Sequence, residues 1–489
     1  MPAVLYIEGL RIQVPVYIAL TGNEPSVVAT FVKPYGTVTS KSAFLIRGVF
    51  GVNTVITIDG GIFTMSGIAS QYFYVNNPLT LLGSSIIIKN VVTYNSMGIL
   101  GFNEITIRNG GSVQLYDNSI LLSTSTTIVP SYRSVFSSSG LTLAESSNVT
   151  AHNNTISFVV YEPKTPKVAM MLLSGSVTMM SGSQLVATSN YYNMEGMTDS
   201  TQIQLFCAAF EGAVSLTNSS IDIQSNLMNM KSVYIGYLQF TYMMMSSTTT
   251  LVDHSSIILF SNVANIAVGL STSGSTYSQL AIFQYAISMN QSCIVSISQN
   301  NLAATFEGAS QVLEIYIVKL NTLFLNTSQF LVHSNQLSTT TPTEAVFFFA
   351  VVAFAQSVYA DGTLLSKFEV TENLLTVAVN SSSVQPKTFI LAITGVLDAL
   401  AKNAILIARN TYTVAPNTFA ANTNVIFLGS SATPGSIVTV CTNTINGVLY
   451  NKVKKTSMVA PPPTILVCNP TKTIVYRTPT CCCGGWWSR

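Results

Sequence analysis

An asparagine returns along this sequence at a near-constant step. Asn118, Asn154, Asn190, Asn226, Asn262, Asn300, Asn335, Asn373 and Asn410 follow one another at spacings of 36, 36, 36, 36, 38, 35, 38 and 37 residues. Each closes the same phrase, a polar turn and then apolar-x-apolar-x-x-Asn, as in LTLAESSNVTAHNN up to Asn154 and VSLTNSSIDIQSN up to Asn226. Three residues before the asparagine stand Leu115, Ala151, Ala187, Ile223, Leu259, Ile297, Val332, Val370 and Ile407. Five before it stand Val113, Val149, Leu185, Ile221, Ile257, Val295, Phe330, Phe368 and Ile405. The position between these apolar columns is mixed, with Gln114, Asp222 and Glu369 among its members. Apolar character alternating with period two marks a strand with one buried face.

Each unit of about 36 residues carries further apolar stretches upstream, such as VAMMLLSG and SVTMM before Asn190, which makes three short strands and a polar loop per repeat. Such a unit cannot bury its own face, but stacked coils bury a continuous core. The expected fold is therefore all-β, a three-sided parallel β-helix (a pectin-lyase-like β-solenoid). Asparagine suits its corners because it tolerates the left-handed backbone conformation and can hydrogen-bond along a ladder. A β-propeller is disfavoured, since the two tryptophans, Trp486 and Trp487, both stand at the C-terminus. Helical repeats need 3.6-period stripes, and these segments alternate.

The register is clear from about residue 99 to 410, and the solenoid is assigned to 1–451. LTLLGSSIIIKN matches the pattern up to Asn90 with one residue deleted, and VITIDGGIFTMSG reads as an earlier coil. From 452 to 489, KVKK, APPPT and CCCGGWWSR read as a linker and a disordered tail.

Charged residues make up 8% of the chain and hydrophobic ones 48%, which excludes disorder. The net charge of +2 comes with no basic block, so nucleic acid is not an expected partner. Mean hydropathy is +0.45. Yet the most apolar run, Ala345 to Ala355, has 11 residues, short of the roughly 20 that span a bilayer as a helix. Glu8 and Arg11 interrupt the N-terminal stretch where a secretory signal needs an apolar core.

The phrases SSNVTAHNN, TNSSIDIQSN, NTSQFLVHSN and VCTNTINGVLYN, spread over roughly Ile99 to Asn451, resemble the dispersed gene family surface proteins of trypanosomatid parasites. The resemblance implies a fragment of a larger cell-surface glycoprotein with a β-helical ectodomain, a C-terminal membrane region and a role in adhesion. This chain departs from that pattern in having neither the entry signal nor the membrane region. Membrane attachment is thus expected only through a region absent here, and a non-functional truncated copy is a further alternative.

Six sequons, Asn148, Asn153, Asn218, Asn290, Asn326 and Asn380, are candidate N-glycosylation sites. Asn148, Asn218, Asn290 and Asn326 fall at nearly one point of the repeat, the turn before the Asn-terminated strand, so glycans would line one edge. Composition alone also produces sequons in so Asn-, Ser- and Thr-rich a chain, and Asn153, beside the corner, reads as structural.

The main rival reading is a polysaccharide lyase or hydrolase, which needs paired carboxylates or a calcium site on one strand face. Asp59, Asp117, Asp199, Asp222, Asp253, Asp361 and Asp398 share no column in neighbouring coils. Glu369 and Glu372, with Lys367 close by, are three apart and face differently. His152 and His333 occupy one column but lie about 24 Å apart at the spacing of neighbouring strands. His254 with Asp253 and Ser255 or Ser256 can be drawn as a triad, but every coil has serine at that turn. Cys207 reads as a buried small hydrophobe, and Cys441 and Cys468 form a candidate disulfide closing the last coil. No catalytic residue, metal site or cofactor is assigned. The expectation is a non-enzymatic surface module for extracellular or host-cell ligands or glycans, with variable loops after each asparagine (YYNMEGMTDST, LSTSGSTYS, LSTTTPTE) as contact points.

Overall fold

A computed structural model describes residues 3–20, 27–38, 42–48, 53–65, 71–75, 78–123, 132–159, 167–197, 203–235, 237–270, 277–284, 286–307, 312–341, 346–361, 365–379, 387–393, 396–399, 404–415, 423–428, 432–449, 453–455 and 464–468. Among these residues there is no helix; the chain is a parallel β-solenoid built from three sheets. Sheet A holds 15 strands, sheet B 14 and sheet C 22. One coil shows the plan. Asn148–His152 lies in sheet A, Thr155–Val159 in sheet B, and Lys167–Leu173 with Val177–Met180 in sheet C, before Gln184–Thr188 returns to sheet A.

The apolar columns read from the sequence are the inner face of sheet A. Val149 pairs with Leu185 and Ala151 with Ala187, and all four are fully buried. The stack continues upstream to Ala3–Glu8 and downstream to Thr464–Val467. Val453–Lys455 pairs with the strand around Phe427, and Thr464–Val467 with Ile437–Cys441. Part of the segment assigned to a linker therefore belongs to the solenoid, since ILV in 465–467 has the β-branched and apolar composition of a strand. The remainder of the tail, 469–489, lies outside the described residues.

Sheet C is not flat. Its ladder pairs Ala169 with Phe206 and Met171 with Ala208, skipping Met170 and Cys207. Met170, Met171, Cys207 and Ala208 all join the main core, so two consecutive side chains face inward and the strand bends there. Ala169, Leu172, Phe206, Ala209 and Met244 form a separate apolar cluster on the other side of the sheet. Buried tyrosines serve the bend from within. The Tyr192 hydroxyl crosses the core from sheet B to donate to the Phe206 carbonyl at 2.7 Å.

Candidate functional site

The corner between sheets A and B is two residues long, and it corrects one expectation. The left-handed residue is the one before the repeating asparagine: Asp117, Asn153, Ser189, Ser225, Ser261, Gln299, Ser334, Glu372 and Arg409 have φ between 52° and 59°. The asparagine itself turns inward. Asn118, Asn154, Asn190, Asn226, Asn262, Asn300, Asn335, Asn373 and Asn410 are at most 1% exposed. Each Nδ2 donates to the Oδ1 of the next, at 2.8 to 3.0 Å, and to a backbone carbonyl of the coil before. Each Oδ1 from Asn154 on also accepts from the preceding asparagine's backbone N–H, and that of Asn118 accepts from the Val91 backbone N–H. Every polar atom is satisfied in the dry corner, which is the condition for burying an amide. The ladder gains a further member, Asn443, which accepts from Asn410 at 3.0 Å. Asn90 is not a member: it holds φ of 58°, stands level with Asp117 and leaves the ladder position to the buried Val91.

The corner between sheets C and A uses a second device, a left-handed pair followed by a buried small residue, Ser147, Ser255 or Cys293. Glu145 and Ser146, Asp253 and His254, and Gln291 and Ser292 are such pairs. Ser255 is buried with its hydroxyl donating to the Val252 carbonyl at 2.6 Å, whereas the His254 and Asp253 side chains, 3.0 Å apart, are exposed. Ser255 is thus engaged in corner chemistry, and Ser256 opens the sheet A strand that follows.

The other chemical candidates are kept apart. Five steps of sheet A register separate His152 from His333, about 24 Å. His152 Nδ1 lies 2.9 Å from Thr188 Oγ1. Burial holds His333 below the usual imidazole range, against the pull of Glu372 and Glu369. Glu372 sits at its corner and pairs with Arg409 at 2.7 Å, a hydrogen bond that holds its carboxyl below the ordinary range. Asp222 is a half-buried carboxyl raised by desolvation, opposed by the Ser220 hydroxyl. Its cross-strand neighbours are Val186 and Ile258, so no second carboxyl faces it. Among the described residues, no three His, Cys, Asp or Glu side chains converge as a metal ion requires. No described helix is long and apolar enough to cross a membrane.

The sequons spread across the corner between sheets C and A. Asn148 opens the sheet A strand and is half-buried, because it stands in ladder register with Ser112 and Gln184 rather than in the turn. Asn218 occupies the turn, left-handed and exposed, while Asn290 and Asn326 are cross-strand partners ending sheet C strands. The Asn153 amide donates to Asp117, so it is engaged in the adjoining corner. Asn380 lies outside the described residues. Cys441 and Cys468 follow paired residues of neighbouring sheet A strands and are joined by a disulfide, Cα–Cα 4.9 Å. A 27-residue separation gives such a link about 3.5 kcal/mol in the chain-entropy model. Cys207 is fully buried, which raises its thiol, and its Sγ lies 3.6 Å from Met228 Sδ.

The loops expected as contact points begin later than read. Tyr191–Met197 and Gln336–Thr341 are sheet B strands, and 198–202, 271–276 and 342–345 lie outside the described residues. The strands themselves carry a surface that the repeat pattern does not reveal. On the outer face of sheet B, Asn193, Asn229 and Asn265 stand in register on successive strands. Asn265 Nδ2 donates to Asn229 Oδ1 at 3.0 Å, and Asn229 Nδ2 to the Tyr191 hydroxyl at 3.3 Å. Glu195 and Lys231, exposed cross-strand partners, and Thr305 complete a groove of about 460 Å³. It offers amide donors and acceptors, one aromatic ring and one charge of each sign within a few strands.

On the outer face of sheet C another column runs Thr80, Thr106, Thr142, Thr178, Ser215, Thr250 and Ser288. It continues without a break into Phe324, Tyr359 and Asp398. No family model matches the chain, and no curated protein or solved structure matches it either.

Proposed function

We propose that the chain is a non-enzymatic, β-helical portion of a cell-surface ectodomain that contacts extracellular or host-cell ligands through the outer face of sheet B. The observation that carries this reading is the Tyr191, Asn193, Glu195, Asn229, Lys231 and Asn265 groove, mounted on rigid strands rather than on loops. Amide arrays suit hydroxyl-rich ligands, because each amide offers a donor and an acceptor at fixed spacing. The resemblance of its coil phrases to dispersed gene family surface proteins supports the surface location, and the exposed sequons Asn218 and Asn326 are compatible with secretory passage. Acid-base catalysis draws less support, since Asp222, the described carboxyl raised by burial, faces Val186 and Ile258.

Two measurements test the reading. An immunoblot of native source material with and without N-glycosidase is expected to show a band that moves faster after treatment; a band that does not shift counts against the glycosylated surface protein. Labelled protein is expected to bind animal cells, and Lys231→Glu together with Tyr191→Ala to lower that binding severalfold. Equal binding by the variant removes the groove from the proposal.

A further inference from the structure

We propose that the bend of sheet C holds, on its outer side, a binding slot for a single neutral sugar, with the Ser134 hydroxyl at its floor. Two consecutive residues turn into the core at the bend, Ile99 with Leu100 on one strand and Val135 with Phe136 on the next. The residues flanking those pairs on the outer side are Gly98 and Gly101, then Ser134 and Ser137. Later strands carry Ala169 and Leu172, then Phe206 and Ala209, at the same positions, and these side chains fill the concave face as a buried cluster. Two glycines and two serines leave it open. Tyr74, next to Gly101, closes one end of the gap, and Leu172, next to Ser137, closes the other. Three strand steps separate these walls, about 14 Å at the spacing of neighbouring strands. The result is a cavity of about 320 Å³.

Ser134 gives the slot its chemistry. It lines the cavity and is 2% exposed, yet its hydroxyl has no hydrogen-bond partner among the described residues. Its Oγ lies 3.7 Å from the point where a Cβ on Gly98 would stand, so it faces the space which that glycine leaves. A buried hydroxyl without a partner is the exception in a folded protein, and a ligand hydroxyl supplies one. At the rim, Glu211 binds Lys167 through Oε1, and its Oε2 has no donor among the described residues. Polar groups thus alternate with the apolar surfaces of Tyr74, Phe102 and Leu172. That mixture matches a pyranose, whose hydroxyls stand on its edge and whose C–H groups form its faces; two adjacent hydroxyls offer the donors that a carboxylate accepts. Charge selects among sugars, because no lining residue is a cation and Glu211 repels an acid. The volume lies at the small end of ligand sites, which suits one ring rather than a chain. The slot is on a different sheet from the sheet B groove and does not depend on it.

Titration with the methyl glycosides of glucose, galactose and mannose, followed by saturation-transfer difference NMR, tests the slot, with methyl glucuronide as the acidic comparison. The expected result is that the full chain binds at least one neutral glycoside and binds the glucuronide severalfold more weakly. Ser134→Ala removes a hydroxyl that bonds to nothing in the protein, so it is expected to melt like the parent but to bind roughly tenfold less tightly, the loss of one ligand hydrogen bond. Ser137→Leu carries the Leu172 row one strand further, fills the gap and is expected to abolish binding; if it does not fold, Ser134→Ala alone decides. Lys231→Glu in the sheet B groove is expected to change nothing, which separates this site from the one above. Failure of all three neutral glycosides to bind, preference for the glucuronide, undiminished binding by Ser134→Ala or by Ser137→Leu, or a loss in Ser134→Ala matched by a lower melting temperature overturns the proposal.

Discussion

Val91 occupies the position that an asparagine fills in the coils from Asn118 to Asn443, and the contrast shows what the amide adds. The space suits a buried β-branched side chain, but only the amide satisfies the corner's polar groups. Asn226 takes part in four such bonds, accepting from the Asn190 backbone and side chain and donating to the Ala187 carbonyl and Asn262. Asn118 takes part in three, since Val91 has no side-chain donor to offer. Asn226→Val is therefore expected to destabilise by several kcal/mol, at about 1 to 3 kcal/mol per buried group left unsatisfied, and Asn118→Val by less. Urea unfolding of both variants checks the order; equal losses would show that the ladder is not additive coil by coil. Asp222 gives a prediction of opposite sign. Burial raises its carboxyl, so the fold holds the proton more tightly than the unfolded chain, and stability falls as pH rises through that raised value. Asp222→Asn is expected to melt higher than the parent at pH 7 and nearly level with it below the ordinary carboxyl range.

Among elements, sheet A was the most legible in the sequence, because an alternating strand and a recurring asparagine fix both face and register. Asn90 was misread because the left-handed site and the ladder site, one residue apart, both favour asparagine. Asn443 escaped because its spacing from Asn410 falls to 33 residues. The bend in sheet C leaves no mark in the sequence: Leu205 to Phe210 and Tyr242 to Met245 are buried on both faces and read as plain apolar runs. The two outer surfaces proposed to bind ligands were equally hidden, since serine and asparagine at outer strand positions look like ordinary polar alternation until register aligns them. The bend also makes a testable demand on its supports. Tyr192→Phe keeps the ring but leaves the Phe206 carbonyl without its 2.7 Å donor, and is expected to cost about 1 to 3 kcal/mol. Tyr191→Phe, half-buried on the outer face of the same strand, is the control and is expected to cost far less in a thermal melt.

Across the whole molecule each coil touches its two neighbours through the same parallel registers, so stability is close to a sum of coils and interfaces. Removal of residues 155–190 takes out one strand of sheets A and B and two of sheet C and rejoins Asn154 to Tyr191, the same point of the cycle. That deletion is expected to give a folded protein with the far-UV dichroism of a β-solenoid, whereas removal of 155–172 is expected to aggregate, since it breaks every ladder at once. Asn154 donates to Asn190 as Asn190 donates to Asn226, so after the cut Asn154 meets an identical acceptor. For a gene, this makes length cheap to vary and phase impossible to vary. Unequal exchange between any two repeats, cut at matching points, yields a longer or shorter descendant that still folds, while the same exchange cut out of phase yields none.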